Sequence, residues 1–187
     1  MTSKHLALLL GAAFACSSPQ KAAVVEPPVA PRAVPKPAED TSFPGGWIGA
    51  WRGPLQIEIA GKPPQTMAME LHITPLEAPG RWTFRLVYNG EPRDYVLVAV
   101  DAGQGLYQVD EQNSIVVDAK LAGDTLLSQF SVQDNFVQAR YHRVGAALEF
   151  EILMVSWKTP NKTGGANGVP EVQSFPIRVV QRATLTR

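Results

Sequence analysis

Sulfur, imidazole and net charge are all scarce in this chain of 187 residues. Its one cysteine, Cys16, has no partner for an internal disulfide and cannot supply a thiolate metal site alone. Of the three histidines, His5 falls in the N-terminal segment. His72 and His142 each lack a second ligand two or four residues on, and a zinc site needs three or four ligands. Seventeen basic and seventeen acidic residues cancel, so no basic stripe marks a nucleic-acid partner. After residue 15 no apolar run approaches the roughly 20 residues of a membrane-spanning helix. No segment repeats itself, none shows the helical period, and no G-x-S-x-G, H-E-x-x-H or P-loop spacing occurs. The glycine-rich KTGGANG at 162–168 lacks the strand-to-helix setting of a phosphate cradle. These absences remove the usual nucleophile, metal and acid–base constellations. The expectation is a protein without a cofactor that is not an enzyme.

The N-terminus, MTSKHLALLLGAAFACSS, has a short basic start at Lys4 and His5 and then an apolar run from Leu6 to Ala15. That is the form of an export signal, too short to cross a bilayer. With Cys16 directly after it, the segment resembles a bacterial lipoprotein signal, in which the cysteine becomes the acylated first residue of the mature protein. The resemblance implies lipid attachment at Cys16 and a membrane partner. With Ser17 following, it also implies sorting to the outer membrane of a Gram-negative envelope, the domain lying in the periplasm. Ala13, Phe14 and Ala15 before Cys16 read equally as an A-x-A site for the ordinary signal peptidase, which would leave a soluble periplasmic or secreted protein. Domain boundaries follow as 1–15 signal, 16–44 lipidated cysteine and tether, and 45–187 folded domain. The tether carries Pro19, Pro27, Pro28, Pro31, Pro35, Pro37 and Pro44. Prolines at that density fix φ and remove donors, which favours an extended spacer of ~3.1 Å per residue.

From Gly45 onward the hydrophobic period is two. MAMELHI, WTFRLVY, DTLLSQFSV and ALEFEIL alternate, with turn residues between them. Segments 46–59, 66–74, 81–88, 93–100 and 173–185 join a central meander, about ten strands in all. Within the meander, two-residue turns at Gly123-Asp124, Asp134-Asn135 and Gly145-Ala146 fix a register. They place Ala119 opposite Ser128, Val117 opposite Phe130 and Ile115 opposite Val132. Val132 then faces Val137, Phe130 faces Ala139, and Ser128 faces Tyr141. Finally Tyr141 faces Phe150, Ala139 faces Ile152, and Val137 faces Met154. A three-residue turn at Glu111-Gln112-Asn113, with Asn113 left-handed, adds Val109 and Tyr107 to the same apolar side. A one-residue slip at any of these turns would send an apolar set to the wrong face. The opposite face carries Asp118, Lys120, Gln129, Gln138, Arg140, His142, Glu149 and Glu151. There Arg140 pairs with Glu151 and His142 with Glu149, a solvated ladder that could alternatively be read as a histidine–carboxylate base.

One apolar face over so many antiparallel strands must close on itself or fold into two sheets. The expected fold class is all-β: a single antiparallel up-and-down barrel of about 8–10 strands, with a two-sheet sandwich as the alternative. Gly45-x-Trp47 and Gly49-x-Trp51 at the start of the first strand resemble the opening motif of lipocalins and their calycin relatives. The resemblance implies that the tryptophans plug one barrel end beneath an arginine of the last strand, Arg178 or Arg182. The central lipocalin motif and its disulfides are missing.

Inside such a barrel the hydroxyls of Tyr107, Ser128 and Tyr141 would either satisfy one another or orient a ligand in an apolar cavity. Small residues at Ala119, Ser128 and Ala139 leave room for a ligand, although alternating small and large side chains also let a barrel fill itself. The long segment 158–173, with Trp157 at its base, reads as a lid or as a plain connection. Two functions remain open. One is an envelope lipoprotein whose barrel binds a small apolar ligand or lipid. The other is an interaction module that holds an envelope protein partner through its outer face or the 158–173 loop.

Overall fold

The computed structural model describes residues 42–187, and the expected signal peptide, the acylated Cys16 and most of the tether lie outside them. Alternating side chains and short turns produce ten barrel strands: β1 (Gly49–Ile59), β2 (Gln65–Pro75), β3 (Arg81–Tyr88), β4 (Glu91–Asp101), β5 (Leu106–Asp110), β6 (Val116–Ala122), β7 (Thr125–Val132), β8 (Asn135–Val144), β9 (Ala147–Ser156) and β12 (Ile177–Thr186). Between β9 and β12 the chain makes a small separate hairpin, β10 (Asn161–Thr163) and β11 (Val172–Ser174). Each barrel strand pairs antiparallel with its neighbours, and β12 seals the ring by pairing with both β9 and β1. The fold is therefore a closed, calycin-like antiparallel barrel, and the sandwich alternative is discarded.

The predicted faces hold, but the register needs two corrections. Across β8 and β9 the pairs are those expected, with Tyr141 opposite Phe150, Arg140 opposite Glu151 and His142 opposite Glu149. Across β7 and β8 the turn is Gln133-Asp134 instead of Asp134-Asn135, so Val132 pairs with Asn135, Ser128 with Ala139 and Leu126 with Tyr141. The shift amounts to two residues, which slides the strands without turning either over. It frees Asp134 from the ladder, and its carbonyl accepts Trp157 N–H at 3.2 Å while its carboxylate pairs with Lys158 at 2.7 Å. Between β5 and β6 the loop is longer than three residues. Gln112 and Ser114, not Asn113, take positive φ, and the Asp110 and Asn113 side chains accept from Gln112 N and Ile115 N. Val109 thus pairs with Val117, and Ile115 is exposed in the loop. The β6–β7 ladder stops at Ala119 and Ser128, so the expected Val117–Phe130 and Ile115–Val132 pairs are not made.

Hairpin polarity gives the barrel two unlike ends. The 3₁₀ turn at Gly45–Trp47, Arg187 and the turns after β2, β4, β6 and β8 lie at one end; the 158–176 connection and the turns after β1, β3, β5 and β7 lie at the other. Closure is tightest at the β1–β12 seam, where a Cβ on Gly53 would fall 2.3 Å from the Thr184 carbonyl oxygen. Backbone cannot yield to that contact as a flexible side chain would, so Gly53→Ala should destabilise the barrel by about 1–3 kcal/mol. Urea unfolding would check this, and a loss below about 0.5 kcal/mol would mean that the seam relaxes freely.

Candidate functional site

The inward side chains grade from sealed to open along the barrel. At the first end Trp51, Leu71, Ile73, Leu97, Leu148 and Leu185 are fully buried. Towards the other end the inward residues Ile59, Met67, Tyr88, Val109, Phe130, Ile152 and Met154 are partly exposed, while Val137, opposite Phe130 and Met154, is buried. The lumen is therefore a cup, solid at the bottom and open above.

Its floor is built around the two tryptophans. Trp47 sits in a single 3₁₀ turn before β1 and Trp51 in the strand, both with 0% exposure. The Trp51 indole N–H donates to the Trp47 carbonyl at 2.8 Å. The guanidinium carbons of Arg143 and Arg187 lie over the Trp51 ring, 4.6 and 4.5 Å from its centre. Arg143 also donates to the Ala147 carbonyl, and Arg187 to that of Gly46. Both tryptophans are buried at this end, and the arginines over Trp51 are not the expected ones. β12 starts at the open end, which leaves Arg178 exposed far from the tryptophans. Arg182 alternates with inward Ala183 and Leu185, so it points outward and donates to Glu151 at 2.8 Å. Arg143 lies on the inward side because it continues the series Val137, Ala139 and Tyr141.

Of the expected ligand contacts, Tyr107 belongs to this floor, buried edge-on against Phe43 with ring centres 4.9 Å apart. Ser128 faces the lumen, half-buried between Ala119 and Ala139. Tyr141 lies between Phe84 and Phe150, each 5.2 Å away centre to centre. Trp157 stands 49% exposed at the open rim, its indole N–H donating to the Gln133 carbonyl at 3.3 Å. The structure therefore does not gather all four residues into one site, although Tyr107 and Ser128 line one trough.

It gathers others instead. The Asn89-Gly90 turn, both residues at positive φ, places Phe84 opposite Tyr95 and Leu86 opposite Arg93. Tyr88, Tyr95 and Arg93 thereby join Tyr141 on the inward side. The Arg93 guanidinium lies 5.3 Å from the centre of the Tyr88 ring. Burial pushes the Tyr88 hydroxyl up to about 12, with Arg93 opposing and Tyr95 reinforcing the shift. Burial, then the neighbouring hydroxyls of Tyr88 and Tyr95, holds Tyr141 well above the ordinary tyrosine value. Tyr88 thus lies within electrostatic reach of Arg93 and Tyr95, and Tyr141 within reach of Tyr88 and Tyr95. Sequence reasoning missed three of them, although Asn-Gly is the strongest short hairpin signal and would have set their register.

The outer wall carries paired charges. His72 meets the Glu70 carboxylate at 2.6 Å, and Arg52 donates to the same carboxylate at 3.1 Å. The bond to His72 is the main reason that Glu70 titrates below the usual carboxylate range. His142 accepts from Arg140 at 2.6 Å and lies 3.4 Å from Glu149. Among the described residues no group of three or more His, Cys, Asp or Glu side chains gathers as a metal site would require. A trough of about 630 Å³ crosses β5–β8, lined by outward residues such as Leu106, Lys120, Leu127 and Gln129 together with inward Tyr107, Ala119 and Ser128, so it touches both faces of the wall. Its polar groups are partly satisfied by one another, Gln108 donating to Asp118 at 2.9 Å and Gln129 to Gln138 at 3.3 Å.

No protein-family model matches the chain, and no curated protein matches it either. Solved structures do. A protein of unknown function from the DUF3598 family of Nostoc punctiforme superposes with a TM-score of 0.54 at 13% identity over 75% of this chain. The match spans only 47% of that protein's length. The S-type phycobiliprotein lyase CPES from Guillardia theta gives 0.49 at 10% identity, over 75% of this chain and 87% of its own. The Rv2717c protein of M. tuberculosis gives 0.46 at 13%, over 75% and 91%. At 13% identity the first of these likenesses bears on the fold alone.

Proposed function

We propose that this chain is a cell-envelope lipoprotein, held to the outer membrane through an acylated Cys16, whose barrel carries a small apolar ligand or lipid in the open half of its lumen. The observation that carries the binding reading is the grading of the lumen. A barrel that filled itself would bury its inward residues at both ends, whereas here Met67, Tyr88, Phe130, Ile152 and Met154 keep partial exposure above a sealed floor. Apolar walls with a few inward polar groups are the general form of small-molecule sites. The envelope reading rests on the signal-like segment, Cys16 and the proline-rich spacer.

A second reading has its own support. Trp157, Val169, Val172, Phe175 and Ile177 leave apolar surface exposed around the β10–β11 hairpin, as an envelope protein partner would require.

Native mass spectrometry of the chain from its own host, before and after solvent extraction, separates the two. A removable extra mass supports the carrier. A bare mass together with a co-purifying protein supports the module. In solution, the neutral probe N-phenyl-1-naphthylamine should brighten on entering the cup. Ser128→Trp, which fills the half-buried wall position between Ala119 and Ala139, should weaken that binding about tenfold or more, at a cost of about 1–3 kcal/mol in stability. Unchanged probe affinity in Ser128→Trp would move the binding site out of the lumen.

A further inference from the structure

The exposed apolar side chains are not spread evenly over the barrel. Among the described residues fourteen large hydrophobic side chains stand exposed, and nine of them lie at the open end. Ile115 comes from the β5–β6 loop, Val132 and Phe136 flank the β7–β8 turn, Trp157 follows β9, and Phe175 and Ile177 lead into β12. In the ring the strands that carry them are consecutive, running β6, β7, β8, β9 and β12. The turns after β1 and β3 make the rest of the rim. They carry Gly61, Lys62, Asn89, Gly90 and Glu91 and no exposed large hydrophobic side chain. The apolar surface is therefore a crescent along one side of the mouth.

Residues placed at one level of a barrel meet a flat surface together when it is laid across the mouth. Trp157 already satisfies its indole N–H on the Gln133 carbonyl at 3.3 Å, so its ring is free to offer apolar area. Lys158 and Lys162 beside it are balanced by Asp134 and Glu171, at 2.7 and 3.5 Å. Aromatic and aliphatic side chains among balanced charges suit the interface of a bilayer, where tryptophan is favoured. The length of chain outside the described residues permits that contact. It joins the barrel at the opposite end, just before the Gly45–Trp47 turn. At ~3.1 Å per residue the stretch 16–41 reaches ~80 Å. Barrel strands of 10 or 11 residues, tilted as closure requires, stand only about 30 Å high. A tether anchored at Cys16 can therefore pass the whole barrel, and it does not hold the closed floor against the membrane.

We propose that the apolar crescent seats the open end of the barrel on the lipid surface of the membrane, with Trp157, Phe175 and Ile177 in the interfacial layer. The mouth then faces the bilayer, and an apolar ligand passes between lipid and lumen with little exposure to water. This rests on the envelope reading above and adds to it an orientation and the surface that meets the lipid.

The test uses the processed chain, from residue 16 onward, carrying Cys16→Ser so that no acyl group contributes. Its targets are vesicles of phosphatidylethanolamine and phosphatidylcholine. The chain should float with them, and lipids brominated on the acyl chains should quench its fluorescence. Trp157→Phe should keep most of the binding and lose the quenching, because Trp47, Trp51 and Trp82 lie towards the closed end. Val172→Asp with Phe175→Asp, both at exposed positions, should weaken vesicle binding about tenfold or more. Val100→Asp, exposed at the closed end, should leave it unchanged. Absence of vesicle binding, or an equal loss in Val100→Asp, would overturn the proposal. So would a dimer in solution that Val172→Asp with Phe175→Asp dissolves, since the crescent would then join two copies of the chain. None of these outcomes bears on acylation at Cys16 or on the content of the lumen, which the native mass measurement decides separately.

Discussion

Trp51→Ala should destabilise the barrel by about 4 kcal/mol, a large share of the roughly 5–15 kcal/mol that holds an ordinary domain together. The indole is fully buried, and its removal leaves a cavity at the point where β1, β8 and the chain end converge. Three further contacts are lost with it. The Trp47 carbonyl loses its donor, and Arg143 and Arg187 lose the ring beneath their guanidinium groups. Arg143 is 3% exposed, so its charge would remain in a dry site with less compensation. Trp51→Phe keeps a ring but not the N–H, and should lose about 1–2 kcal/mol. Arg187→Ala should lose about 1 kcal/mol, because the residue is exposed and only one cation–π contact and one carbonyl bond are removed. Thermal melts should rank the variants in that order, with Trp51→Ala lowering Tm by ~10 °C or more. If Arg187→Ala proved as damaging as Trp51→Ala, the floor would be held by its rim and not by the indole.

How much of this could be read from the sequence depends on what each residue's position requires. Faces were legible, because a face follows from parity, and parity survives a turn misplaced by one residue when the register then moves by two. That is why the β7–β8 correction changed the partners of Ser128 and Tyr141 and left both side chains inside. The opening tryptophans were legible as a plug only through their resemblance to the lipocalin opening motif. Their arginines were not, since a last-strand arginine had to be chosen by its distance from the closed end, and that end was unknown until β12 was oriented. The cup itself was hidden, because grading from buried to open is a property of the whole ring. The β6–β7 ladder was overextended for a similar reason: alternation persists through Val116–Asp118 and Gln129–Val132 even where the strands have parted. Tyr88, Tyr95 and Arg93 were missed for a lesser reason, since Asn89-Gly90 marks their hairpin as clearly as any turn in the chain.

Those tyrosines also make the barrel sensitive to alkali, with a sign that can be worked out. Below pH 10 the folded and unfolded chains both keep the phenolic protons, and the contribution is nil. Above it the unfolded chain releases a proton that Tyr88 holds until about pH 12, so the native state binds more protons and stability falls as pH rises. One tyrosine removes about 1.4 kcal/mol per pH unit across that interval, or about 3 kcal/mol by pH 12. Tyr141, shifted upward by burial first and then by Tyr88 and Tyr95, and Tyr107, shifted by burial, add losses of the same sign. The expected result is cooperative unfolding between about pH 10 and 12, with tyrosinate absorbance rising at the same pH as the loss of β-sheet circular dichroism. Tyr88→Phe and Tyr141→Phe remove the titrating groups while keeping the rings, so each should raise the pH of that transition. If tyrosinate instead rose smoothly from about pH 10 with the β-sheet signal intact, the hydroxyls would be wet in the native state. The open half of the lumen would then be a wet space and not a low-dielectric site.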